Sequence, residues 1–259
     1  MMAILALGLL GAAAALQAAY LIAGRREAFT HYILGAAGAL LLGVIAERSF
    51  RIGSIALTTT YESLVFFSAG VALALFFLRL FLKERLPAFA SFGAVIVAIA
   101  LLLLSSSPLV PKEAQPPIPA LQSVWLTLHV SFSFVGEAFF AVSFASAIVA
   151  LASRREAVRA DAERITYTTV ALGYPVFTAG ALVFGAVWAQ VAWGGYWSWD
   201  PKETWSLITW FIYAAFLHAR LTRDWRGRKT AILSIVGFVA VLFTYFGVNY
   251  PISGLHSYL

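Results

Sequence analysis

Eight long apolar stretches, separated by short polar connections, constrain this sequence more than any other feature. They cover approximately residues 2–23, 30–46, 60–82, 88–106, 121–152, 168–188, 203–220 and 230–249. A helix needs about 20 consecutive apolar residues to cross a bilayer, and each stretch reaches or approaches that length. The sequence therefore predicts an all-α polytopic membrane protein with about eight transmembrane helices, forming a single domain over residues 1–259.

The composition excludes the soluble alternatives. Of the 259 residues, 61% are hydrophobic and 12% are charged, whereas about 25% of the residues of an ordinary soluble domain are charged. A water-soluble fold of this size has no core large enough to bury so much apolar sequence. The chain also lacks cysteine, so it has no disulfide framework, thiolate metal site or thiol redox chemistry of its own.

The basic residues are divided unequally between the two sides of the predicted helices. Of the 18 Lys and Arg residues, 14 lie around the connections that follow the first, third, fifth and seventh stretches, and 4 lie on the other side. Basic residues concentrate in the cytoplasmic loops of membrane proteins. This distribution predicts that both termini lie on the outer face, and it explains the net charge of +6 without nucleic-acid binding.

Six of the eight tryptophans lie within residues 188–210. An aromatic belt at the lipid headgroups would spread its tryptophans over many helix ends, so a belt alone does not explain this cluster. Such a segment on the outer face, with two adjacent glycines, is predicted to form an aromatic shelf for a large planar ligand. The residues assigned to this shelf are Trp193, Tyr196, Trp197, Trp199, Asp200 and Trp205.

Three carboxylates, two in this segment and one in the fifth apolar stretch, allow both a structural and a functional interpretation. Asp200, Pro201 and Glu203 have the spacing of a helix start, with Asp at the N-cap, Pro at the first helical position and Glu three residues after the cap. This structural role is favoured over catalysis, and no catalytic residue is assigned. Glu137 lies within the fifth stretch, where a carboxylate must face the bundle or a water-filled cavity. It is interpreted equally as a packed, hydrogen-bonded residue or as a neighbour of a ligand.

The four histidines are the candidate metal ligands, because imidazole is the strongest metal-binding group in this chain. His129 is near the outer end of the fifth stretch, and His256 is in the outer tail. Two imidazoles beside a planar aromatic pocket are typical of haem binding. His218 follows Glu203 by 15 residues, or about 22 Å of helix, which places it near the inner leaflet. His31 is predicted at a similar depth.

The tryptophan segment also resembles a known family signature. Residues 193–205, Trp-Gly-Gly-Tyr-Trp-Ser-Trp-Asp-Pro-Lys-Glu-Thr-Trp, look like the WWD signature of haem-handling proteins in cytochrome c assembly, which include the CcsA (ResC), CcmC and CcmF types. Three further segments are similar to the CcsA type, namely Tyr61–Leu64, Pro119–Val130 and Gly254–Tyr258. The resemblance extends from about residue 53 to the C-terminus.

The resemblance implies a role for each histidine. His129 and His256 would be the axial ligands of an external haem b, and His218 would bind a second haem position within the membrane. The second inner ligand would come from a CcsB/ResB-type partner, with His31 as the alternative within this chain. The complex would be a holocytochrome c synthase in the bacterial cytoplasmic (inner) membrane, with its haem site on the periplasmic face. It would attach haem to the CXXCH motif of apocytochrome c, and a thiol-reducing partner is expected.

Three other functions stay open. A CcmC-like haem chaperone would deliver haem to a separate carrier, although eight spans and the Gly254–Tyr258 ending argue against it. A haem b subunit of a quinone-linked respiratory enzyme would usually hold both ligands within its helices, whereas His256 is in a tail. A small-solute transporter would leave the outer histidines and the tryptophan segment unexplained.

Overall fold

The computed structural model describes residues 1–23, 29–82 and 88–248, and within these ranges it is helical without any β-strand. The predicted all-α architecture is therefore confirmed. The ranges contain eight long helices, listed here in chain order: α1 (Met2–Ile22), α2 (Thr30–Ile52), α3 (Thr60–Leu82), α4 (Ala88–Ser105), α5 (Val124–Ala152), α6 (Glu156–Trp193), α7 (Pro201–Thr222) and α8 (Arg228–Gly247). The connection before α5 lies outside these helices and contains one short 3₁₀ turn, Pro119–Leu121.

Within the described ranges, seven of these helices are long and apolar enough to cross a membrane, and α7 is the exception. The chain is a multi-pass membrane protein. The less apolar α7 occupies the position of the seventh predicted span, and polar residues at both of its ends, such as Lys202 and Arg220, lower its hydropathy.

Two helices extend well beyond the apolar stretches that predicted them. Helix α2 continues to Ile52, and α6 begins at Glu156, twelve residues before the stretch at 168. Both extensions contain ion pairs one helical turn apart, Glu47–Arg51 in α2 and Arg159–Glu163 in α6. Charged residues of these types favour helix formation and stabilise each other at this spacing. Hydropathy detects only the part of a helix that lies within the bilayer.

Helix α5 is at the centre of the bundle. It packs against α3 and α4 on one side and against α6 and α8 on the other. Helices α1 and α2 pack onto the α3–α4 side, whereas α7 packs onto α6 and α8. The first four helices and the last three therefore form two groups of neighbours on either side of α5.

A buried ion pair fixes the connection between α4 and α5 to the ends of α2 and α3. The Nε atom of Arg48 donates to Oε1 of Glu62 over 3.0 Å. Its other guanidinium nitrogens donate to the carbonyl oxygens of Lys112 and Glu113 over 2.9 and 3.2 Å. The second Glu62 oxygen accepts two backbone N–H groups that precede α3. Glu62, part of the Tyr61–Leu64 motif, thus has a structural role here.

The same motif also connects α3 to the C-terminal end of α8. The hydroxyl groups of Ser63 and Tyr245 are 2.5 Å apart. The Tyr245 hydroxyl also donates to the carbonyl oxygen of Thr60 over 3.3 Å. Tyr245 belongs to a π-helical segment, Phe243–Gly247, that ends α8. This contact fixes the last described turn of the chain to the first half of the bundle.

Candidate functional site

His129, in the second turn of α5, is oriented on two sides by α6. Its Nδ1 atom lies 2.9 Å from the carbonyl oxygen of Gly180. A carbonyl oxygen can only accept, so Nδ1 donates, and in the neutral imidazole the lone pair is then on Nε2. The imidazole is also stacked on Trp188, with ring centroids 5.9 Å apart and planes 7° from parallel. This is the arrangement by which proteins orient a metal-binding histidine.

An irregular part of α6 provides the carbonyl group. Residues Thr178–Phe184 are π-helical, three residues after Pro175, which interrupts the regular helix because it has no N–H group. A π-helical segment displaces carbonyl groups from the regular helical ladder and is frequent at functional sites. The Gly180 carbonyl oxygen belongs to this segment. It accepts the Gly185 N–H group, five residues further along the helix, and also accepts from Nδ1 of His129.

Two glycines allow α6 to approach α5 closely enough for this contact. A Cβ atom at Gly180 would lie 2.3 Å from the backbone nitrogen of Ser133, and one at Gly185 would lie 2.9 Å from Nδ1 of His129. Both distances are too short for any larger residue without displacement of α5 or of the imidazole. The π-helical segment and these glycines were missed by sequence reasoning. Their signal was a proline followed by glycines at 180 and 185.

Four of the six clustered tryptophans pack against other aromatic or polar side chains, and one of them, Trp188, is fully buried. Trp188 is 1% exposed, and its ring meets that of Trp193 at 64° with centroids 4.7 Å apart. Trp205 packs on Phe243, with centroids 4.2 Å apart. The Nε1 atom of Trp210 donates to the Thr178 hydroxyl over 2.9 Å. The last two contacts join α7 to α6 and to α8.

The other aromatic residues lie in the seven-residue link between α6 and α7. Tyr196 is 62% exposed and Trp199 is 69% exposed. Trp197 is partly buried, and its ring meets that of Trp199 edge to face, with centroids 5.8 Å apart. The predicted shelf residues therefore fall into a packed group and a group displayed on the surface. Only residues 194–200 of the segment 188–210 lie outside helices.

The start of α7 has the predicted capping structure. Asp200 is the N-cap, its side chain accepts from the Lys202 N–H group over 2.9 Å, and Pro201 occupies the first turn. The Glu203 side chain accepts from the Asp200 N–H group over 3.3 Å, which completes a capping box. The prediction of a structural role for both carboxylates is confirmed. The pattern was readable because capping depends on local spacing alone.

Glu137 lies partly buried in α5, and its Oε2 atom has no hydrogen-bond partner among the described side chains. The Lys202 side chain, in the first turn of α7, interacts electrostatically with the Glu137 carboxylate. The prediction that Glu137 is packed and hydrogen-bonded therefore does not hold for its Oε2 atom. The interpretation as a neighbour of a ligand stays a prediction.

His218 is in a very different environment from His129. It is exposed on α7, and its Nε2 atom lies 3.2 Å from the hydroxyl of Thr222 in the same helix. The side of α7 that is buried in the bundle contains Thr209, Tyr213 and Phe216. At about 100° per residue, His218 is about 200° around the helix from Phe216, and so faces away from the bundle.

The structure does not bring His31 and His218 together. His31 is buried at the start of α2, where its ring stacks with Phe76 of α3 at a centroid distance of 6.5 Å. Helix α2 packs with α1 and α3, whereas α7 packs with α6 and α8. The remaining predicted ligand, His256, lies outside the described residues, as does the Gly254–Tyr258 segment.

Comparison with known proteins gives one consistent family. Residues 57–256 match the family model described as Cytochrome C assembly protein. Proteins named Cytochrome c biogenesis protein CcsA are similar to most of the chain. That of Porphyra purpurea is 35% identical over 266 residues, covering 83% of this chain and 82% of the relative. That of Gloeobacter violaceus is 34% identical over 300 residues, covering 90% and 88%.

A third relative, from Chlamydomonas reinhardtii, is 36% identical over 247 residues and covers 89% of this chain and 68% of the algal protein. The matched range begins close to residue 53, where the resemblance in the sequence begins. It includes His129, the tryptophan segment and His218. The chain is therefore a member of the cytochrome c assembly protein family, in its CcsA group, and it functions in cytochrome c biogenesis.

Proposed function

We propose that this chain is the haem-handling subunit of a membrane cytochrome c synthase. Together with a CcsB/ResB-type partner, it moves haem b to the outer face of the bacterial cytoplasmic membrane and presents it there to apocytochrome c. Haem is the substrate of this machine. The observation that supports the proposal most directly is the contact between the His129 Nδ1 atom and the Gly180 carbonyl oxygen. In this proposal Nε2 is the ligating nitrogen.

The surroundings of His129 suit a flat, largely apolar ligand. Trp188 stacks on the imidazole, Trp193 packs against Trp188, and Tyr196 and Trp199 are exposed in the link that follows. Aromatic rings stack well on a porphyrin and exclude water from its faces. In this proposal His129 supplies one axial ligand of the iron and His256 supplies the other. The aromatic residues of the link between α6 and α7 support the porphyrin.

The attachment reaction requires positioning rather than a nucleophile from this chain. Each thiol of the CXXCH motif adds across a haem vinyl C=C bond, so that sulfur bonds to one carbon and hydrogen to the other, and nothing is oxidised or reduced overall. The contribution of this chain is to hold the haem against the incoming thiols and to set the state of the iron through its ligands. The thiols must be reduced beforehand, which requires the thiol-reducing partner.

The inner haem position is proposed to form between two proteins. His218 points away from its own bundle, and His31 packs in a different part of it. An exposed histidine on a membrane helix is costly unless something binds it. Ile208 and Phe211, about two to three helical turns before His218, are also exposed on α7. We assign this face of α7 to the CcsB-type partner, which then supplies the second ligand.

Two measurements test this function. The purified full-length chain should show a reduced haem absorption spectrum that is lost in His129→Ala and retained in His31→Ala, a matched histidine control. Complementation of c-type cytochrome assembly should require both this chain and the partner. Haem binding without any support of cytochrome c maturation would favour the CcmC-like chaperone. Normal maturation by His129→Ala would contradict the proposal.

A further inference from the structure

Trp199 has a backbone conformation that its side chain does not favour. Its φ angle is +60°, in the left-handed region that residues other than glycine rarely adopt. Such a conformation is unfavourable and persists only where the surrounding structure enforces it. The indole itself is 69% exposed, so packing of the side chain does not explain the strain. Hydrogen bonds of the neighbouring backbone must hold this conformation.

Glu203 provides those hydrogen bonds. Its Oε2 atom accepts from the Ser198 N–H group over 2.8 Å, from the Ser198 hydroxyl over 3.1 Å and from the Asp200 N–H group over 3.3 Å. The donors lie on both sides of Trp199, so the chain must turn sharply at that residue to bring them to one atom. A capping box requires only the bond from the N-cap, here Asp200. The two bonds from Ser198 are additional.

We infer that Glu203 is a positioning residue of the tryptophan loop, residues 194–200. It holds Trp199 in the left-handed conformation and thereby displays the indole on the outer surface as a contact for the planar substrate. The Thr204 hydroxyl supports the same turn by donating to the carbonyl oxygen of Trp199 over 3.3 Å. The identity of the substrate rests on the proposed function, whereas the effect of Glu203 on the loop does not.

The geometry separates a positioning role from a role of the negative charge. All three hydrogen bonds end on Oε2, and the buried Oε1 atom has no hydrogen-bond partner among the described residues. A glutamine can present its carbonyl oxygen to the same three donors, whereas alanine presents nothing. Positioning therefore predicts that Glu203→Gln preserves the loop, and a role of the charge predicts that it does not.

Amide hydrogen exchange of the full-length chain in detergent tests the first part without reference to haem. In Glu203→Ala, the amides of Ser198 and Asp200 should exchange about tenfold faster, as expected when a net hydrogen bond is lost. Both amides should keep their protection in Glu203→Gln. They should also keep it in the control Glu156→Ala, which removes an exposed glutamate from the first turn of α6. Unchanged protection in Glu203→Ala, or equal loss in both Glu203 variants, would overturn the inference.

Glycine at position 199 gives a second test that does not require the Glu203→Ala variant to fold. Glycine adopts positive φ without strain, so Trp199→Gly should retain more protection at Ser198 and Asp200 than Trp199→Ala does. Equal protection in the two variants would show that the left-handed turn is not enforced.

Haem retention then tests the display of the indole. Glu203→Ala should lose as much haem as Trp199→Ala, and the double variant should lose no more than either. An additive loss would show that Glu203 acts elsewhere. Absence of haem from the wild-type chain would contradict the proposed function, but it would leave the exchange result decisive for the loop.

Discussion

His129 and His218 are both predicted haem ligands, yet their surroundings in the structure differ. The outer histidine is held by the Gly180 carbonyl group and by the face of Trp188. The inner histidine is exposed and contacts Thr222, one turn further along the same helix. The His129 imidazole is therefore preorganised by α6, whereas His218 is exposed and contacts its own helix.

This difference suggests how the work is divided in the proposed synthase. A site that presents haem for covalent attachment benefits from fixed geometry, because reaction depends on alignment of the vinyl groups with the thiols. A site that receives haem and passes it on benefits from a ligand set shared between two proteins. Substitutions at each site test whether the two histidines differ in this way.

The largest effect is expected at the outer site. Alanine at His129 or His256 leaves the iron with an open axial position, so cytochrome c maturation should be abolished. Added imidazole should partly restore it, because the free ligand can occupy the vacated space. Maturation is measured by haem staining of a c-type cytochrome, with His31→Ala as control. Normal maturation in both single variants would exclude the external haem site.

The second effect concerns the inner site and its dependence on the partner. His218→Ala should remove the inner haem and most cytochrome c maturation, because haem then no longer enters from the cytoplasmic side. His31→Ala should mature cytochromes normally, since His31 is packed against Phe76, away from α7. The measurement is the haem spectrum of each variant with and without the partner. Equal loss of the inner haem in both variants would assign His31 as the ligand.

A partial effect is expected when the support of His129 is disturbed and the histidine is kept. In Gly185→Ala, the new Cβ atom would lie 2.9 Å from Nδ1 and must displace the imidazole. We expect haem affinity to fall about 10- to 100-fold, as for other losses of ligand orientation. The matched control is Gly11→Ala in α1, where a Cβ atom meets nothing within 4 Å. Equal haem content in the two variants would show that α6 does not orient His129.

The smallest effect is expected from the tryptophans. Replacing Trp193, Trp197 or Trp199 with alanine should weaken haem retention, because each removes stacking surface worth about 1 kcal/mol and no iron ligand. The reduced spectrum of the remaining haem should keep its wild-type shape. An altered spectrum at full haem content would instead show that these side chains only brace the histidines.

The sequence predicted those parts of the molecule that depend on local patterns. Hydropathy identified eight helices, and the spacing of Asp200, Pro201 and Glu203 identified the capping box, because both depend on neighbouring residues. The Gly180–His129 contact joins residues 51 positions apart. It depends on how an irregular part of α6 packs against α5, and no local pattern specifies that packing.

Local propensity also gave no indication of the left-handed turn at Trp199. Tryptophan does not favour positive φ, so the conformation at +60° is enforced by hydrogen bonds from outside the residue. The exposed orientation of His218 was likewise unpredictable, because the depth of a residue on a helix does not specify the side that it faces. The sequence therefore predicted the candidate site residues but not the contacts that distinguish His129 from His218.

The most direct test of this contrast is the reduced absorption spectrum of the full-length chain, expressed alone and together with its CcsB-type partner. We expect the chain alone to show a reduced haem signal that is lost in His129→Ala and unchanged in His218→Ala. With the partner present, a second haem signal should appear that His218→Ala removes. A signal from the chain alone that survives His129→Ala and disappears in His218→Ala would contradict the assignment of His129 as the ligand that this chain orients by itself.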